Sequence, residues 1–114
     1  MNKEELLPLG SVVYLKEGII PLMIGIRQPI VQLDTEKCYF DYAAFSQLTG
    51  INADEIAYFN NEDIREVVAK GYIGDEEATI LAALKDWREN TDIEKGLVTK
   101  NKSENSADGY SFGF

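Results

Sequence analysis

Residues 11–27 read SVVYLKEGIIPLMIGIR, and this stretch decides the fold class. Its first part, residues 11–16, is rich in β-branched and aromatic side chains, which favours a strand. Its last part, residues 22–27, has the same character and predicts a second strand. Gly18 lies in the short segment between them, where its freedom to adopt positive φ suits a turn. Two strands joined by so short a connection pair antiparallel, so the sequence predicts an N-terminal β-hairpin.

More strands are predicted downstream of this hairpin. Pro29 interrupts the second strand, and residues 30–33 resume it after a bend. Aromatic and small residues at 38–45 predict a third strand. Residues 46–55 contain turn-forming residues and predict a loop, and residues 56–60 predict a short fourth strand.

The periodicity of the C-terminal half predicts two helices. The first follows Asn60 or Asn61, which can cap it, and ends near Gly71. Its apolar stripe consists of Ile64, Val67, Val68 and Tyr72, which are spaced i, i+3, i+4 and i+8. Asp75 can cap the second helix. Its buried face consists of Ile80, Leu81, Leu84 and Trp87.

The predicted architecture is therefore an α+β fold. One antiparallel sheet of about four strands is covered on its apolar face by the two C-terminal helices, because neither layer can bury its apolar side alone. Trp87 is large enough to be the main side chain between the two layers. Residues 6–94 are predicted to form a single α+β domain. Residues 95–114 are predicted to form a flexible polar tail that ends in aromatic residues.

Length and composition exclude several classes of protein. A chain of 114 residues fits one domain, and 45% apolar residues suffice for a packed core. No apolar run approaches the length of a membrane span, and no secretory signal is visible, so we expect a cytoplasmic protein. The single cysteine, Cys38, rules out an internal disulfide. The absence of histidine excludes histidine-dependent nucleophiles and histidine-ligated metals.

The negative charge is concentrated in the C-terminal half. The chain has 11 basic and 20 acidic residues, a net charge of −9. Residues 53–94 hold four basic and twelve acidic side chains, which accounts for −8 of that charge. Binding to nucleic acid or to an anionic membrane needs the opposite sign, so we expect neither partner. The acidic residues are better interpreted as a solvated surface than as a site for a basic partner.

No group of residues predicts catalysis. The carboxylates occur in runs, namely Asp54-Glu55, Glu62-Asp63 and Asp75-Glu76-Glu77. Helix capping and the helix dipole explain these positions without a catalytic pair. Cys38 has no histidine partner and is better explained as a small buried residue. Phosphate-binding glycine motifs are absent, so we expect no enzyme activity, no cofactor and no metal.

Aromatic residues are the strongest candidates for a binding surface. Those left outside the core would suit a protein partner, because tyrosine offers contact area at low entropic cost. The candidate partner-binding residues are Tyr39, Tyr42, Phe45, Tyr58, Tyr110, Phe112 and Phe114. The alternative is that Phe40, Tyr42 and Phe59 are ordinary core residues, since the strand register is open. Residues 110–114 either add to a sheet edge as a strand or fray as a terminus.

Several segments resemble one known family. They are residues 7–16, Leu22–Arg27, Phe40-Asp41-Tyr42 and residues 58–64, followed by Val67-Val68 and Gly71-Tyr72. The chain resembles the domain-of-unknown-function family four-one-seven-six, whose members are small cytosolic Firmicutes proteins. They are often encoded beside LXG-type toxins and type VII secretion genes. The resemblance spans roughly residues 6–87, and it departs from the family pattern between Phe45 and Ile56.

This resemblance implies an accessory role. The expected function is that of a non-enzymatic adaptor or chaperone that holds a protein partner, such as an LXG-type toxin, before export. One alternative is an immunity protein that neutralises the toxin, since acidic inhibitors suit basic clefts. A second is a small carboxylate-dependent hydrolase, which Asp75→Asn or Glu76→Gln would inactivate. Homo-oligomerisation stays open.

Overall fold

The computed structural model describes residues 5–98. Strands dominate the chain, and one helix follows them. The elements are β1 (Val12–Leu15), β2 (Leu22–Arg27), β3 (Ile30–Leu33), β4 (Glu36–Tyr39), β5 (Tyr42–Ser46), β6 (Ala57–Phe59), a 3₁₀ turn (Asn61–Asp63), β7 (Ile64–Ala69), α1 (Glu77–Asn90) and β8 (Glu94–Lys95). The α+β class is confirmed, but eight strands and one helix are present in the described residues, where about four strands and two helices were predicted.

The larger sheet has five strands in the order β6-β5-β2-β1-β7. All of its neighbours are antiparallel. The predicted hairpin of β1 and β2 forms its centre, with Val12 opposite Met23 and Val13 opposite Leu22. The β-branched and aromatic content of this stretch was therefore a reliable signal for a strand pair.

The smaller sheet continues the larger one through a bent ribbon. β2 and β3 form one arm of the ribbon, and β4 and β5 form the other. The bend lies at Gln28, whose φ is 57°, and its N–H donates to the Asp41 carbonyl at 2.9 Å. β8 completes the smaller sheet by pairing parallel with β4. The predicted resumption of the second strand after Pro29 is confirmed.

The predicted third strand is divided between the two sheets. Phe40 and Asp41 belong to neither β4 nor β5. Phe40 is fully buried, and the Asp41 N–H donates to the Asn60 side chain at 2.9 Å. The two arms stay bonded here, since the Phe40 N–H donates to the Pro29 carbonyl at 3.1 Å and the Asp41 carbonyl accepts from Gln28, but the Asp41 N–H leaves the strand ladder for Asn60. The prediction of one continuous strand over residues 38–45 was wrong for this reason.

The predicted first helix is wrong, because residues 64–69 form β7 at the edge of the larger sheet. β7 pairs with β1 through two register shifts, which leave Arg65 and Val68 as the extra residues. These bulges break the strand alternation, so Val67 and Val68 are adjacent without belonging to a helical stripe. Tertiary pairing with β1 overrides the local helical spacing.

The predicted second helix is confirmed as α1, but its buried face is smaller than expected. Leu81 and Leu84 pack against the core, whereas Ile80 is 43% exposed. Trp87 is half-buried and contacts Tyr39 of the smaller sheet edge-on, with ring centroids 5.1 Å apart. The prediction that Trp87 lies between the helix and the main sheet is therefore wrong, because Trp87 contacts β4 of the smaller sheet.

The core lies on one face of the larger sheet. Its fully buried members are Leu6, Leu7, Val13, Leu22, Ile24, Tyr42, Ala44, Ala57 and Phe59. The N-terminal segment and α1 cover this face, and Arg27 of β2 binds Glu77 of α1 in a partly buried ion pair at 2.8 Å. The other face of the sheet carries the surface described next.

Candidate protein-binding surface

The face of the larger sheet that points away from the core is also apolar. Directly opposite residues share a face, and Phe45 lies opposite Met23, which lies opposite Val12. Ala43 likewise lies opposite both Ile26 and Tyr58. We call this surface the outer sheet face and define it by Val12, Tyr14, Met23, Ile26, Phe45 and Tyr58.

Every side chain of the outer sheet face retains contact with solvent. Ile26 is 52% exposed, and the other five are half-buried. An antiparallel sheet with one solvated face normally alternates apolar and polar residues. Here the strands β6, β5, β2 and β1 contribute two tyrosines, a phenylalanine, a methionine and two aliphatic residues to the solvated face, and the exposed Glu66 of β7 lies opposite Tyr14. This composition is typical of a surface that buries itself against another polypeptide.

A β-bulge at Gly25 positions Phe45 on this face. The register of β2 and β5 shifts between Ile24 and Ile26, which leaves Gly25 as the extra residue. A Cβ atom at Gly25 would lie 3.0 Å from Phe45 Cε1. The missing side chain of Gly25 therefore lets the Phe45 ring lie close to the backbone of β2.

Arg65 positions Tyr14 at the other side of the outer sheet face. Its guanidinium lies 5.2 Å from the centroid of the Tyr14 ring, within cation–π range. The Nη1 atom of Arg65 also donates to the Gly18 carbonyl at 3.2 Å. The bulged β7 thus orients an aromatic side chain and fixes the turn between β1 and β2.

The predicted partner-binding residues divide between surface and interior. Phe45 and Tyr58 lie on the outer sheet face. Tyr39 is only 8% exposed, and Tyr42 is fully buried. The Tyr42 hydroxyl accepts a hydrogen bond from the Leu7 N–H at 2.8 Å and donates to Asn61 Oδ1. Burial raises the pKa of Tyr42 to about 12.

Three predicted residues, Tyr110, Phe112 and Phe114, lie outside the described residues.

Sequence reasoning missed the part of the outer sheet face that β1 and β2 supply, namely Val12, Tyr14, Met23 and Ile26. Their signal was the alternation within the hairpin, because Val13, Leu22 and Ile24 occupy the opposite face. That alternation could have shown that both faces of the hairpin are apolar.

A buried polar network lies where β5, β6 and β8 meet. Asp41 is 3% exposed, and its Oδ2 accepts from the Asn61 N–H at 2.8 Å and pairs with Lys95 Nζ at 3.2 Å. Asn60 is fully buried; its Oδ1 accepts from the Asp41 N–H and its Nδ2 donates to the Gly96 carbonyl at 2.8 Å. Burial raises the pKa of Asp63, whose Oδ2 accepts from the Asn60 N–H at 2.9 Å.

An open cavity of about 300 Å³ adjoins this network. Its lining residues are Tyr39, Asp41, Asn61, Glu62, Lys85, Arg88, Glu89 and Lys95. Three carboxylates are balanced by three cations, and Lys95 pairs with the buried Asp41. Asp75 and Glu76, the residues of the hydrolase alternative, are exposed and do not line this cavity. Residues 5–98 contain no cluster of three or more histidine, cysteine or acidic side chains placed to hold a metal ion.

Comparison with known proteins gave one family. The family model described as "Domain of unknown function (DUF4176)" matches residues 6–80. No curated protein and no solved structure matches the chain. Over the described residues, no helix has both the length and the apolar character needed to cross a membrane.

Proposed function

The chain belongs to the DUF4176 family, and from this membership and the apolar outer sheet face we propose that it is a non-enzymatic protein-binding accessory. The observation that supports this most is the combination of Phe45, Met23 and Tyr58 on a solvated face of a rigid sheet. Burying such side chains against a partner contributes about 25 cal/mol for each Å² removed from water. Because strands already fix the backbone that carries them, little backbone entropy is lost on binding.

The proposed partner is a toxin polypeptide of the LXG type. The protein would act as a cytoplasmic adaptor or chaperone that covers an apolar segment of this toxin before type VII secretion. This partner is the one that the family resemblance implies. The acidic surface, with a net charge of −9, supports the proposal because it keeps the protein soluble while the outer sheet face is exposed.

Co-expression with the neighbouring toxin tests this function. We expect the two chains to co-purify and the toxin to be more soluble in the presence of this protein. A toxin that is equally soluble alone, with no complex formed, would contradict the proposal. Survival of cells that express the isolated toxic domain, when this protein alone is added, would favour an immunity protein instead.

A charge placed on the outer sheet face tests which surface binds. Ile26→Asp should weaken the complex about tenfold or more, because a desolvated carboxylate opposes burial. The matched control is Tyr72→Asp, since Tyr72 is 87% exposed and lies in the segment between β7 and α1. Thermal unfolding of both variants separates loss of binding from loss of folding. Equal binding by Ile26→Asp and the unaltered chain would exclude the outer sheet face.

The non-enzymatic part of the proposal has its own test. We expect no turnover of ester, glycoside or phosphate substrates by the full chain. Hydrolysis that disappears in Asp75→Asn or Glu76→Gln would overturn it in favour of a carboxylate-dependent hydrolase.

A further inference from the structure

Two neighbouring loops expose three large aliphatic side chains at one end of the larger sheet. Ile19, in the turn between β1 and β2, is 81% exposed. Leu48 and Ile51, in the connection between β5 and β6, are 67% and 75% exposed. We call these three side chains the loop end.

One backbone hydrogen bond joins the two loops, and two further hydrogen bonds organise the second loop. The Gln47 N–H donates to the Pro21 carbonyl at 2.9 Å, next to the pairing of Leu22 with Ser46. Within the second loop, the Leu48 N–H donates to Ser46 Oγ at 3.1 Å. The Gly50 N–H donates to the Ser46 carbonyl at 2.9 Å. The backbone that carries the three aliphatic side chains is therefore organised by specific hydrogen bonds.

The loop end continues the outer sheet face. Phe45 and Met23 are opposite one another in β5 and β2, one position away from the Ser46–Leu22 pair at which the loops begin. Leu48 follows Phe45 by three residues, and Ile19 precedes Met23 by four. The two loops that carry the three aliphatic side chains therefore begin directly beyond the outermost residue pair of the outer sheet face.

The same two loops also carry exposed acidic side chains. They are Glu17, Asp54 and Glu55, and the basic side chains in the same region are Lys16 and Arg65. The guanidinium of Arg65 is already engaged by the Gly18 carbonyl and the Tyr14 ring. Neither partner cancels the positive charge of Arg65, so the three carboxylates exceed the two cations by one negative charge, within a chain whose net charge is −9.

We propose that the loop end, together with Met23 and Phe45, binds a basic amphipathic segment of the partner polypeptide. The apolar side of that segment packs on the three aliphatic side chains, and its lysines and arginines lie near the acidic ones. This inference rests on the proposed function, because it names the chemistry of the partner for the same surface. The negative charge of the chain opposes the alternative occupant, an anionic membrane.

The test uses a labelled model peptide and the full chain. The probe is a peptide of leucine and lysine with helical amphipathic spacing, and its control has glutamate in place of lysine. We expect saturable binding of the lysine peptide, weaker binding of the glutamate peptide, and a loss of affinity as salt is raised. Equal affinity for the two peptides would overturn the charge argument.

Substitutions locate the contact. Leu48→Ser and Ile51→Ser should each weaken binding of the lysine peptide by about tenfold. Leu97→Ser is the matched control, because Leu97 is 63% exposed and follows Gly96 near Phe40, at the opposite end of β5. Unchanged binding by both loop variants overturns the inference. Capture by anionic or neutral lipid vesicles that depends on Ile51 would assign the loop end to a membrane and also overturn it.

The toxin complex separates this inference from the proposed function. A complex that forms and keeps its affinity in Leu48→Ser and Ile51→Ser refutes the role of the loop end and leaves the proposed function standing. Failure of any toxin complex to form refutes the proposed function, whatever the peptide result.

Discussion

Tyr42 is a candidate binding residue in the sequence, but in the structure it stabilises the fold. Its ring is fully buried beside Phe59, with centroids 5.5 Å apart. Its hydroxyl connects the N-terminal segment, through the Leu7 N–H, to Asn61. The hydroxyl is therefore the polar part of a side chain that is otherwise surrounded by the core.

Replacement of that hydroxyl should destabilise the protein. Tyr42→Phe preserves the ring but leaves the Leu7 N–H without its acceptor, at a cost of about 1–3 kcal/mol for a buried donor. Denaturant unfolding measures this loss. Phe59→Tyr is not a suitable control, because it adds a hydroxyl to the core; Tyr72→Phe is suitable, since Tyr72 is 87% exposed. Equal stability of Tyr42→Phe and the unaltered chain would mean that the hydroxyl bonds contribute nothing.

Ionisation of the same hydroxyl makes the stability of the protein depend on pH in the alkaline range. Burial raises the pKa of Tyr42 to about 12, above the ordinary value of 10. Between these two pH values the unfolded tyrosine loses its proton while the folded one retains it, so this group's contribution to stability declines as pH rises. In Tyr42→Phe that decline should be absent. The measurement is the free energy of unfolding of both proteins from pH 9 to pH 12.

Protonation of Asp63 affects the stability of the protein at acidic pH, and its contribution also declines as pH rises. Its pKa is raised above 3.8, chiefly by burial. A carboxyl that holds its proton more tightly when folded adds stability at low pH, and that stability is lost as pH rises through its folded pKa. Compared with Asp63→Asn, the unaltered chain should therefore gain stability as pH falls toward 3.8 and gain no more below it. A difference between the two proteins that does not change with pH would contradict the raised pKa.

At the scale of elements, β7 depends on a close approach that only glycine allows. Gly71 follows β7 and passes beside the N-terminal segment; a Cβ atom there would lie 2.1 Å from the Leu9 carbonyl oxygen. The Gly71 N–H also donates to Ser11 Oγ at 3.0 Å. The residue that was expected to end a helix therefore fixes the edge strand beside β1.

Gly71→Ala should be clearly destabilising. The neighbouring atom belongs to the backbone, so the chain must shift to make room, at a cost of about 1–3 kcal/mol. Gly74→Ala is the matched control, because the atoms that its Cβ would meet are the ends of the Tyr72 and Glu76 side chains, which can move. Chemical denaturation compares the two. Similar stability of both alanine variants would show that the approach of Gly71 to Leu9 is not tight.

The elements that the sequence predicted well are those in which local preference and pairing agree. β1 and β2 are rich in β-branched residues and pair with each other, and α1 keeps one apolar stripe at Leu81 and Leu84. β7 could not be predicted, because its two bulges reproduce a helical spacing and its partner, β1, is 49 to 57 residues away along the chain. The division of residues 38–45 depended on Asn60, a contact that no local pattern shows.

The candidate site was predictable only in part, for the same reason. The abundance of aromatic residues at 39–45 and 58–59 pointed to a surface, but the register that separates Phe45 from Tyr42 comes from pairing with β2. The loop end has no periodicity at all. Its exposed aliphatic residues are recognisable only once the hydrogen bond between Gln47 and Pro21 brings the two loops together.

At the scale of the whole molecule, the two ends of β5 have different roles. One end stabilises the fold, and the other exposes a surface. At the end near Asp41, polar groups join the larger sheet, the smaller sheet and the segment after β8. At the end near Ser46, aliphatic side chains are exposed to solvent. A binding surface at the second end can therefore vary without disturbing the junction at the first.

Asn60 is the residue on which that junction depends, so its removal should affect regions far apart in sequence. Asn60→Ala deprives the buried Asp41 N–H and the Gly96 carbonyl of their side-chain partners. Each buried group left unsatisfied costs about 1–3 kcal/mol, so the two together should lower the free energy of unfolding by about 2–6 kcal/mol. The matched control is Asn52→Ala, whose side chain accepts a hydrogen bond only in an exposed turn.

Hydrogen exchange then distinguishes a local effect from a general one. The Gly96 N–H donates to the Tyr39 carbonyl at 2.7 Å, so it reports whether the segment after β8 stays on the smaller sheet. In Asn60→Ala its exchange should accelerate more than that of Ile24, whose N–H bonds to Ser11 within the larger sheet. Equal acceleration at both amides would mean that the two sheets open together. The segment after β8 would then not open independently, and Asn60 would stabilise the molecule as a whole.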